Sequence, residues 1–559
     1  MGEFFRRLRA KPGLSTEVIA ASFFANILAL ASPLFVIQVL NRYVGQGVDA
    51  TLAALASGVL IAIGLELGFR QVRMKLARGL SARKDDELST GAFGILTTAQ
   101  SMALMRIPSG ERREVVRGLE LVESAYTPGN ITAVIDVPFA LLFALALFLL
   151  SPHLAAIAIG FVIVIFLFAV LSQRSLRGPA ATLSGAQNEV AGLLNNAIAA
   201  TDTVRAFSGR KILTTAWTKA SERSRLLRAL IARRQALVQS VTQSAQALMS
   251  VFIYSVGAWL VVRGELDIGL LIGANILSAR ALGPMIKFAQ LGESFAKAEN
   301  ALAKVREFAS LPAEPEKGAK LSQFNGQIEF RDVSFAYPDS NTPLYEGLSF
   351  KLAPGGVMVV TGSNGAGKST LAKMMAGLLQ PTRGQILLDG VDLQQLEPSW
   401  WRTQLMYLPQ EPTFINASLR DNLEVANPGQ SEETMMRIVR EVGLGKYVDE
   451  SPDGMDRLIA NGGGNMALGQ RRRLAFARSM FVGGKLAVLD EPTESLDHEG
   501  TAFVYSTLID MARRGKTIIA FSLDPKIVSA ATLILDLDTK PTPTLRQTKP
   551  HAVKTEAAS

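Results

Sequence analysis

The sequence predicts two unlike parts in one chain: an all-α membrane domain of six helices, followed by an α/β domain built around a P-loop. Three observations predict it. Six apolar runs of roughly 20 residues, the length that crosses a bilayer as a helix, occupy the first part of the chain. A Pro/Gly/Lys-rich stretch, SLPAEPEKGAKLSQFNG, then changes the character of the sequence. Finally, VMVVTGSNGAGKSTLAKMMAGL reads as an apolar strand, a glycine-rich loop and a helix.

The bulk numbers agree with a divided chain. At 559 residues it exceeds what one core supports, and its mean hydropathy of +0.23 averages a very apolar half with an ordinary one. The net charge of +9 does not point to nucleic acid. The Lys and Arg cluster beside the apolar runs, as in cytoplasmic loops, and no basic stripe with interleaved aromatics appears. The absence of cysteine excludes disulfides, thiolate metal sites and cysteine nucleophiles. The start, MGEFFRRLRAKPG, is basic without a small-residue cleavage site and reads as a cytoplasmic N-terminus.

The six runs are Val18 to Leu40, Thr51 to Phe69, Ile131 to Leu150, Leu154 to Leu171, Ala245 to Val262 and Ile268 to Gln290. Inside a bilayer only helices satisfy the backbone without a closed barrel. The long connections, Arg70 to Asn130 and Gln173 to Ser244, carry Arg73, Lys75, Arg78, Arg112, Arg113, Arg174, Arg177, Arg233 and Arg234. The basic-loop rule puts both of them and both termini in the cytoplasm. Amphipathic patterning predicts that the helices continue into these loops, with tips near Glu111 to Leu119 and Ala199 to Phe207. Asn26, Gln38, Glu66, Asp136, Asn275 and Arg280 sit at membrane depth. Such residues line a pathway, or else have a plainer explanation: Glu66 and Asp136 lie near predicted helix ends, and Arg280 can pair with a carboxylate on a neighbouring helix. The division expected is a membrane domain over 1–304, a linker over 305–326, a nucleotide-binding domain over 327–540 and a disordered tail over 541–559, the tail because it is polar and rich in Pro, Thr and Lys.

In the second part, Gly362, Ser363, Asn364, Gly365, Ala366, Gly367, Lys368, Ser369 and Thr370 form the P-loop and the first turn of its helix. Backbone amides and a helix N-terminus cradle phosphates, Lys368 reaches the β and γ groups, and Ser369 is a Mg²⁺ ligand. KLAVLDEPT is an apolar strand that delivers Asp490 to a Mg²⁺ ion and Glu491 to the attacking water. Those two motifs fit any P-loop ATPase.

Four further stretches narrow the reading. MYLPQEP supplies Gln410, MALGQRRRLAFARSM supplies Gly469 and Gln470, SFAYP supplies Tyr337, and ESLD closes the set. Singly, each reads as a core tyrosine or a solvated loop; in this order around a P-loop the chain resembles an ATP-binding cassette (ABC) half-transporter. The resemblance implies the type IV ABC exporter fold, ATP and Mg²⁺ as cofactors, adenine stacking on Tyr337, a Q-loop role for Gln410 toward Mg²⁺, and Gly469 and Gln470 facing the ATP of a second half-transporter, homo- or heterodimeric. In SPLFVIQVLNRYVGQGVDATL, IDVPFALLFALALFLLSP and GAWLVVRGELDIGLLIGANILSARALGPM the membrane part is similar to type I protein-secretion transporters, the haemolysin and metalloprotease exporters. That implies a bacterial inner-membrane location, a periplasmic adaptor, an outer-membrane channel, surrounding membrane lipid, and secreted cargo of the C-terminal-signal RTX type. The same scaffold also carries lipids, peptides and small molecules, and a regulatory half without turnover is a further alternative.

Two positions depart from the family. Its LSGGQ signature reads Met466, Ala467, Leu468, Gly469, Gln470, lacking the serine hydroxyl and one glycine. After KTIIAFS the family's γ-phosphate histidine is replaced by Leu523, and His498 lies too near ESLD to substitute. The expectation is weak hydrolysis by two copies of this chain, and work beside a more consensus partner.

Overall fold

In the computed structural model, residues 2–44, 47–338, 340 and 342–548 are described, without the side chains of 82–85 and 109. The chain divides into two compact units: one holds Met1–Thr97 with Ile107–Leu311, the other Thr98–Arg106 with Pro312–Ser559.

Among the described residues of the chain's first part, six helical spans are long and apolar enough to cross a membrane: Pro12–Tyr43, Asp49–Thr98, Pro128–Leu150, Pro152–Ala199, Arg210–Val262 and Ile268–Ala309. They contain the six apolar runs, and four of them extend well past the apolar stretch, as the amphipathic patterning predicts. Between spans 3 and 4 only Ser151 interrupts the helices, and Pro152 starts the next one at a position where a missing N–H costs nothing. A short helix, Gly2–Ala10, precedes span 1.

Leu147, Leu154, Ala158, Ile165, Met249, Ile253, Leu277 and Ala281 make the buried core among spans 3 to 6. Lipid tails compete equally for apolar side chains, so close approach decides which helices associate. Gly269 and Gly273 supply it: a Cβ on Gly273 would lie 2.3 Å from Ile37 Cγ1, and one on Gly269 2.1 Å from Asn41 Oδ1. Span 6 therefore presses its glycine face against span 1.

The polar residues at membrane depth are mostly partnered. Asp136 accepts from Arg73 at 2.8 Å and from Asn26 at 3.1 Å, with both charged side chains largely buried. Glu66 pairs with Arg70 one turn on. Asn275 donates to the Tyr254 hydroxyl at 3.2 Å. No carboxylate pairs with Arg280 among the described residues, so the ion-pair alternative does not account for it.

Among its described residues the second unit carries two sheets. A four-stranded antiparallel sheet has the order β2-β1-β4-β5, with β1 Ile328–Phe335, β2 Tyr345–Leu352, β4 Arg383–Leu388 and β5 Val391–Asp392. A six-stranded sheet has the order β10-β9-β3-β8-β7-β6, from β3 Val357–Thr361, β6 Leu405–Leu408, β7 Leu486–Asp490, β8 Thr517–Phe521, β9 Leu533–Asp536 and β10 Thr544–Gln547. Its strands are parallel except for β10. Strands β7 and β8 are buried along their whole length, which explains their unbroken apolar runs.

Three boundaries are corrected. The segment expected as a disordered tail from 541 contains β10, whose backbone pairs antiparallel with β9; polar side chains do not prevent pairing with an open edge strand, and 549–559 lie outside the described residues. The segment expected as a linker holds the division between the units, at Leu311, but is shorter than 305–326: 305–309 close the helix Gly292–Ala309, and Phe324 is buried edge-on against Trp401 in the second unit's core. The first loop tip was expected near Glu111 to Leu119, which instead belongs to the helix Ser109–Ala125 of the first unit. The segment grouped with the second unit is Thr98–Arg106, whose five-residue helix Ser101–Met105 packs Met102 on that unit's core while the Gln100 N–H donates to the Pro312 carbonyl at 2.9 Å. Its brevity gave no helical period to read. The expected second tip does contain a short, exposed helix, Thr201–Ala206.

Candidate nucleotide site

Parallel pairing gathers the site. Val360 of β3 is the register partner of Phe521 in β8, which pairs in turn with Asp490 of β7, while Leu489 faces Leu408 of β6. The carboxyl ends of these strands thus lie in a row, the position where open α/β sheets bind ligands. From that row emerge the P-loop after β3, Glu491 after β7 and Gln410 two residues after β6.

The P-loop takes backbone conformations that only glycine adopts freely. Gly362, Gly365 and Gly367 have φ of 153°, 86° and 108°. A Cβ on Gly367 would also sit 2.6 Å from Leu344 Cδ2. The helix Lys368–Met375 begins here with its N-terminus at the loop. Lys368 is buried; its Nζ donates to the Gly362 carbonyl at 2.7 Å and lies 3.3 Å from Glu491 Oε1. Ser369 Oγ donates to Gln410 Oε1 at 3.0 Å. Thr370 shares a 2.8 Å hydrogen bond with the Tyr337 hydroxyl, whose ring is about one-third exposed and edge-on to Phe335.

Asp490 is 1% exposed, and its Oδ1 is buried with no hydrogen-bond partner. Burial pushes its carboxyl above the usual value of 3.8, helped by the Glu491 charge and opposed by the Ser369 hydroxyl and Lys368. A buried carboxylate oxygen left without a donor, beside a serine hydroxyl and a glutamine carbonyl oxygen, is a hard-oxygen set that fits Mg²⁺. Among the described residues no cluster of three His, Cys, Asp or Glu forms a metal site of another kind.

Glu491 has φ of +47°, costly for a residue with a Cβ. Its N–H donates to the Phe521 carbonyl at 2.9 Å and its carbonyl accepts from Arg472 at 2.9 Å; Arg472 also grips Glu494 at 2.6 Å. Nothing local marks this clamp, because Arg472 is the middle one of three consecutive arginines and only the fold turns it inward. Asp538 and Lys540 belong to no motif of the sequence either. The Asp538 carboxylate accepts from the Ser363 N–H at 2.8 Å and from its hydroxyl at 2.7 Å, and that hydroxyl chiefly holds its pKa below the ordinary value. Lys540 donates to the Ala366 carbonyl at 3.1 Å and to that of Leu344. The signal available was the charged run DLDTK, which begins at the last residue of β9.

The structure thus brings together Tyr337, Gly362 to Thr370, Gln410, Asp490 and Glu491. Gly469 and Gln470 stand apart, at the start of the helix Leu468–Val482. Gln470 Oε1 accepts from the Ala467 N–H at 3.2 Å, and the nearest atom to a Cβ on Gly469 would be the Ser495 carbonyl oxygen at 3.5 Å. Among the described residues neither bonds to the P-loop. Leu468 is 45% exposed. Leu523, 56% exposed, follows the buried Ser522; Asp524 then anchors the turn, accepting from the Tyr505 hydroxyl at 2.6 Å.

A P-loop joined to a carboxylate-bearing strand, a glutamine loop and a separate signature helix, on a chain with six spans, defines an ABC-type transport ATPase. The comparisons agree across both parts. Residues 16–285 match the ABC transporter transmembrane region family, and residues 345–494 the ABC transporter family. The toxin RTX-I translocation ATP-binding protein of Actinobacillus pleuropneumoniae is 27% identical over 511 residues, 90% of this chain and 71% of that relative. The leukotoxin translocation ATP-binding protein LktB of Mannheimia glucosida is 26% identical over 506 residues, with the same coverage. The structure of a bacterial Atm1-family ABC exporter with ATP bound superposes with a TM-score of 0.80 at 18% identity, over 95% of this chain and 94% of the other. The chain belongs to the ABC exporters: it is a half-transporter in which a six-helix membrane domain is followed by an ATP-binding cassette.

Proposed function

We propose that this half-transporter is the ATP-driven component of a type I secretion system in a bacterial inner membrane, exporting a C-terminal-signal protein of the RTX type with a periplasmic adaptor and an outer-membrane channel. The observation that carries the reading is the similarity of both domains together, over 90% of the chain, to proteins named for translocating an RTX toxin and a leukotoxin.

In this reading ATP is held by the amides of Gly362 to Thr370, with its adenine on Tyr337 and its outer phosphates at Lys368. Mg²⁺ belongs with Ser369, Gln410 and Asp490, where it would neutralise phosphate charge. Glu491 orients the attacking water, and the Arg472 contact fixes its backbone. Gly469 and Gln470 serve the ATP of a second half-transporter.

Ala467, Leu468 and Leu523 weaken turnover in this reading. Losing one polar stabiliser of a transition state costs on the order of 10² to 10³ in rate. Two copies of this chain would carry both defects in each site, whereas a consensus partner leaves one defect per site. The chain is therefore the altered half of an unequal pair. ATPase activity of the purified chain, alone and co-expressed with a neighbouring half-transporter, tests this: strong turnover by the lone chain refutes the unequal pair. For the export reading, deletion of the gene should abolish an RTX-type protein from the medium, and unchanged secretion refutes it. The same three residues favour one second reading, a regulatory half without turnover, which predicts nucleotide binding with no hydrolysis in any assembly.

A further inference from the structure

A slot of about 600 Å³ opens between the N-terminal helix Gly2–Ala10 and spans 1, 3, 4 and 6. Its walls are apolar: Phe4 and Leu8 from the short helix, Ile19 of span 1, Phe139 of span 3, Phe166 of span 4 and Phe288 of span 6. By the basic-loop rule the N-terminal ends of spans 1 and 3 and the C-terminal parts of the apolar runs in spans 4 and 6 lie on the cytoplasmic side. The slot is thus at the level of the inner-leaflet headgroups.

Its rim is of opposite character. Span 4 passes from Val170 in the wall to Gln173, Arg174 and Arg177, which also line the slot. Arg174 is exposed and has no ion pair or hydrogen bond among the described residues. Arg177, nearly one turn on, pairs with Glu299 at 3.1 Å, but both side chains are about half exposed, and such a pair is weak. The Gln173 side-chain amide nitrogen is buried with no hydrogen-bond partner. A donor kept from water without an acceptor is unfavourable unless something else supplies one.

An apolar slot with two guanidinium groups and a spare amide donor at its headgroup end matches one kind of amphiphile: acyl chain below, anionic phosphate above. Guanidinium suits phosphate because its donors reach two oxygens at once. A zwitterionic lipid would bring its own cation to the same rim. We propose that this slot binds an anionic phospholipid of the cytoplasmic leaflet, with an acyl chain among the phenylalanines and the phosphate held by Arg174, Arg177 and the Gln173 amide. The lipid would also tie the N-terminal helix to the spans, since Phe4 and Leu8 form one wall.

The test is native mass spectrometry of the full chain in mild detergent, titrated with dioleoyl phosphatidylglycerol or dioleoyl phosphatidylcholine, together with its melting temperature in each lipid. Roughly a tenfold preference per charge-assisted contact predicts that phosphatidylglycerol is retained at least about tenfold over phosphatidylcholine and raises the melting temperature. The variant R174Q/R177Q, altered only at exposed positions, should keep its melting temperature in detergent and lose the preference to within about twofold. V170W, which fills the slot and leaves the arginines, should lose binding of both lipids. The proposal is overturned if the wild type shows no preference, if R174Q/R177Q retains it, if glycerol 1-phosphate raises the melting temperature as much as the lipid does, or if a peptide instead of lipid co-purifies in the slot.

Discussion

Asp490→Asn is expected to change stability in opposite directions with and without Mg-ATP. In the absence of ligand, the wild type holds a carboxylate that is 1% exposed and has one oxygen without a donor. Leaving a buried polar group unsatisfied costs about 1–3 kcal/mol, and more when it is charged. The neutral amide relieves the charged part of that cost. Against this, Lys368 loses an attractive neighbour, yet keeps Glu491 at 3.3 Å. A net gain of about 1 kcal/mol raises the melting temperature of a domain of this size by about 2–4 °C. With Mg-ATP the order reverses, because the asparagine has no charge to offer the ion, and a ligand stabilises only as far as it binds the folded state. Calorimetry of the full chain in detergent with EDTA, and then with Mg-ATP, reads both quantities. A lower melting temperature in EDTA together with an undiminished Mg-ATP shift would refute the reasoning.

Restoring A467S, L468G and L523H together should raise phosphate release by the lone chain at least about tenfold, given the usual cost of a missing stabiliser; unchanged turnover would place the defect elsewhere. Trp401→Ala should destabilise the cassette by about 3–5 kcal/mol, because the indole is fully buried against Phe324 and donates to the Met375 carbonyl at 3.1 Å. Trp401→Phe should retain most of that stability by the same melting measurement. Acid should weaken the cassette through Asp421, Asp497 and Asp538. Hydrogen bonds from Ser418, Gly500 and Ser363, respectively, hold them below the ordinary 3.8. The unfolded chain therefore takes up protons first as pH falls: the stabilisation is complete well above pH 4 and is lost through the lower, folded values. D421N and D497N should flatten the acid limb of a stability-against-pH curve, and an unchanged limb would remove them from the account.

The parts legible in the sequence are those written in local pattern. Six spans could be counted because a bilayer demands about 20 apolar residues from each. The P-loop could be placed because its glycines, lysine and serine are contiguous between a strand and a helix. Ser101–Met105 stayed hidden because five residues show no period, and the expected tip fell instead on the longer, clearly amphipathic helix Ser109–Ala125. The tail's composition predicts disorder, whereas β10 exists because β9 offers an open edge. Arg472 and Asp538 act through partners 19 and 175 positions away, and no local pattern records such a pairing.

The reach of Asp538 has a consequence for how the protein is made. Strand β3 and its P-loop are the first part of the six-stranded sheet to leave the ribosome, yet β8, β9 and Asp538, which flank and hold them, follow as many as 175 residues later. At about 5–20 residues per second, the wait is on the order of 10–30 s. For that time β3, three of whose five residues end up buried, has neither of its neighbours, on a nascent chain whose membrane spans have already been synthesised.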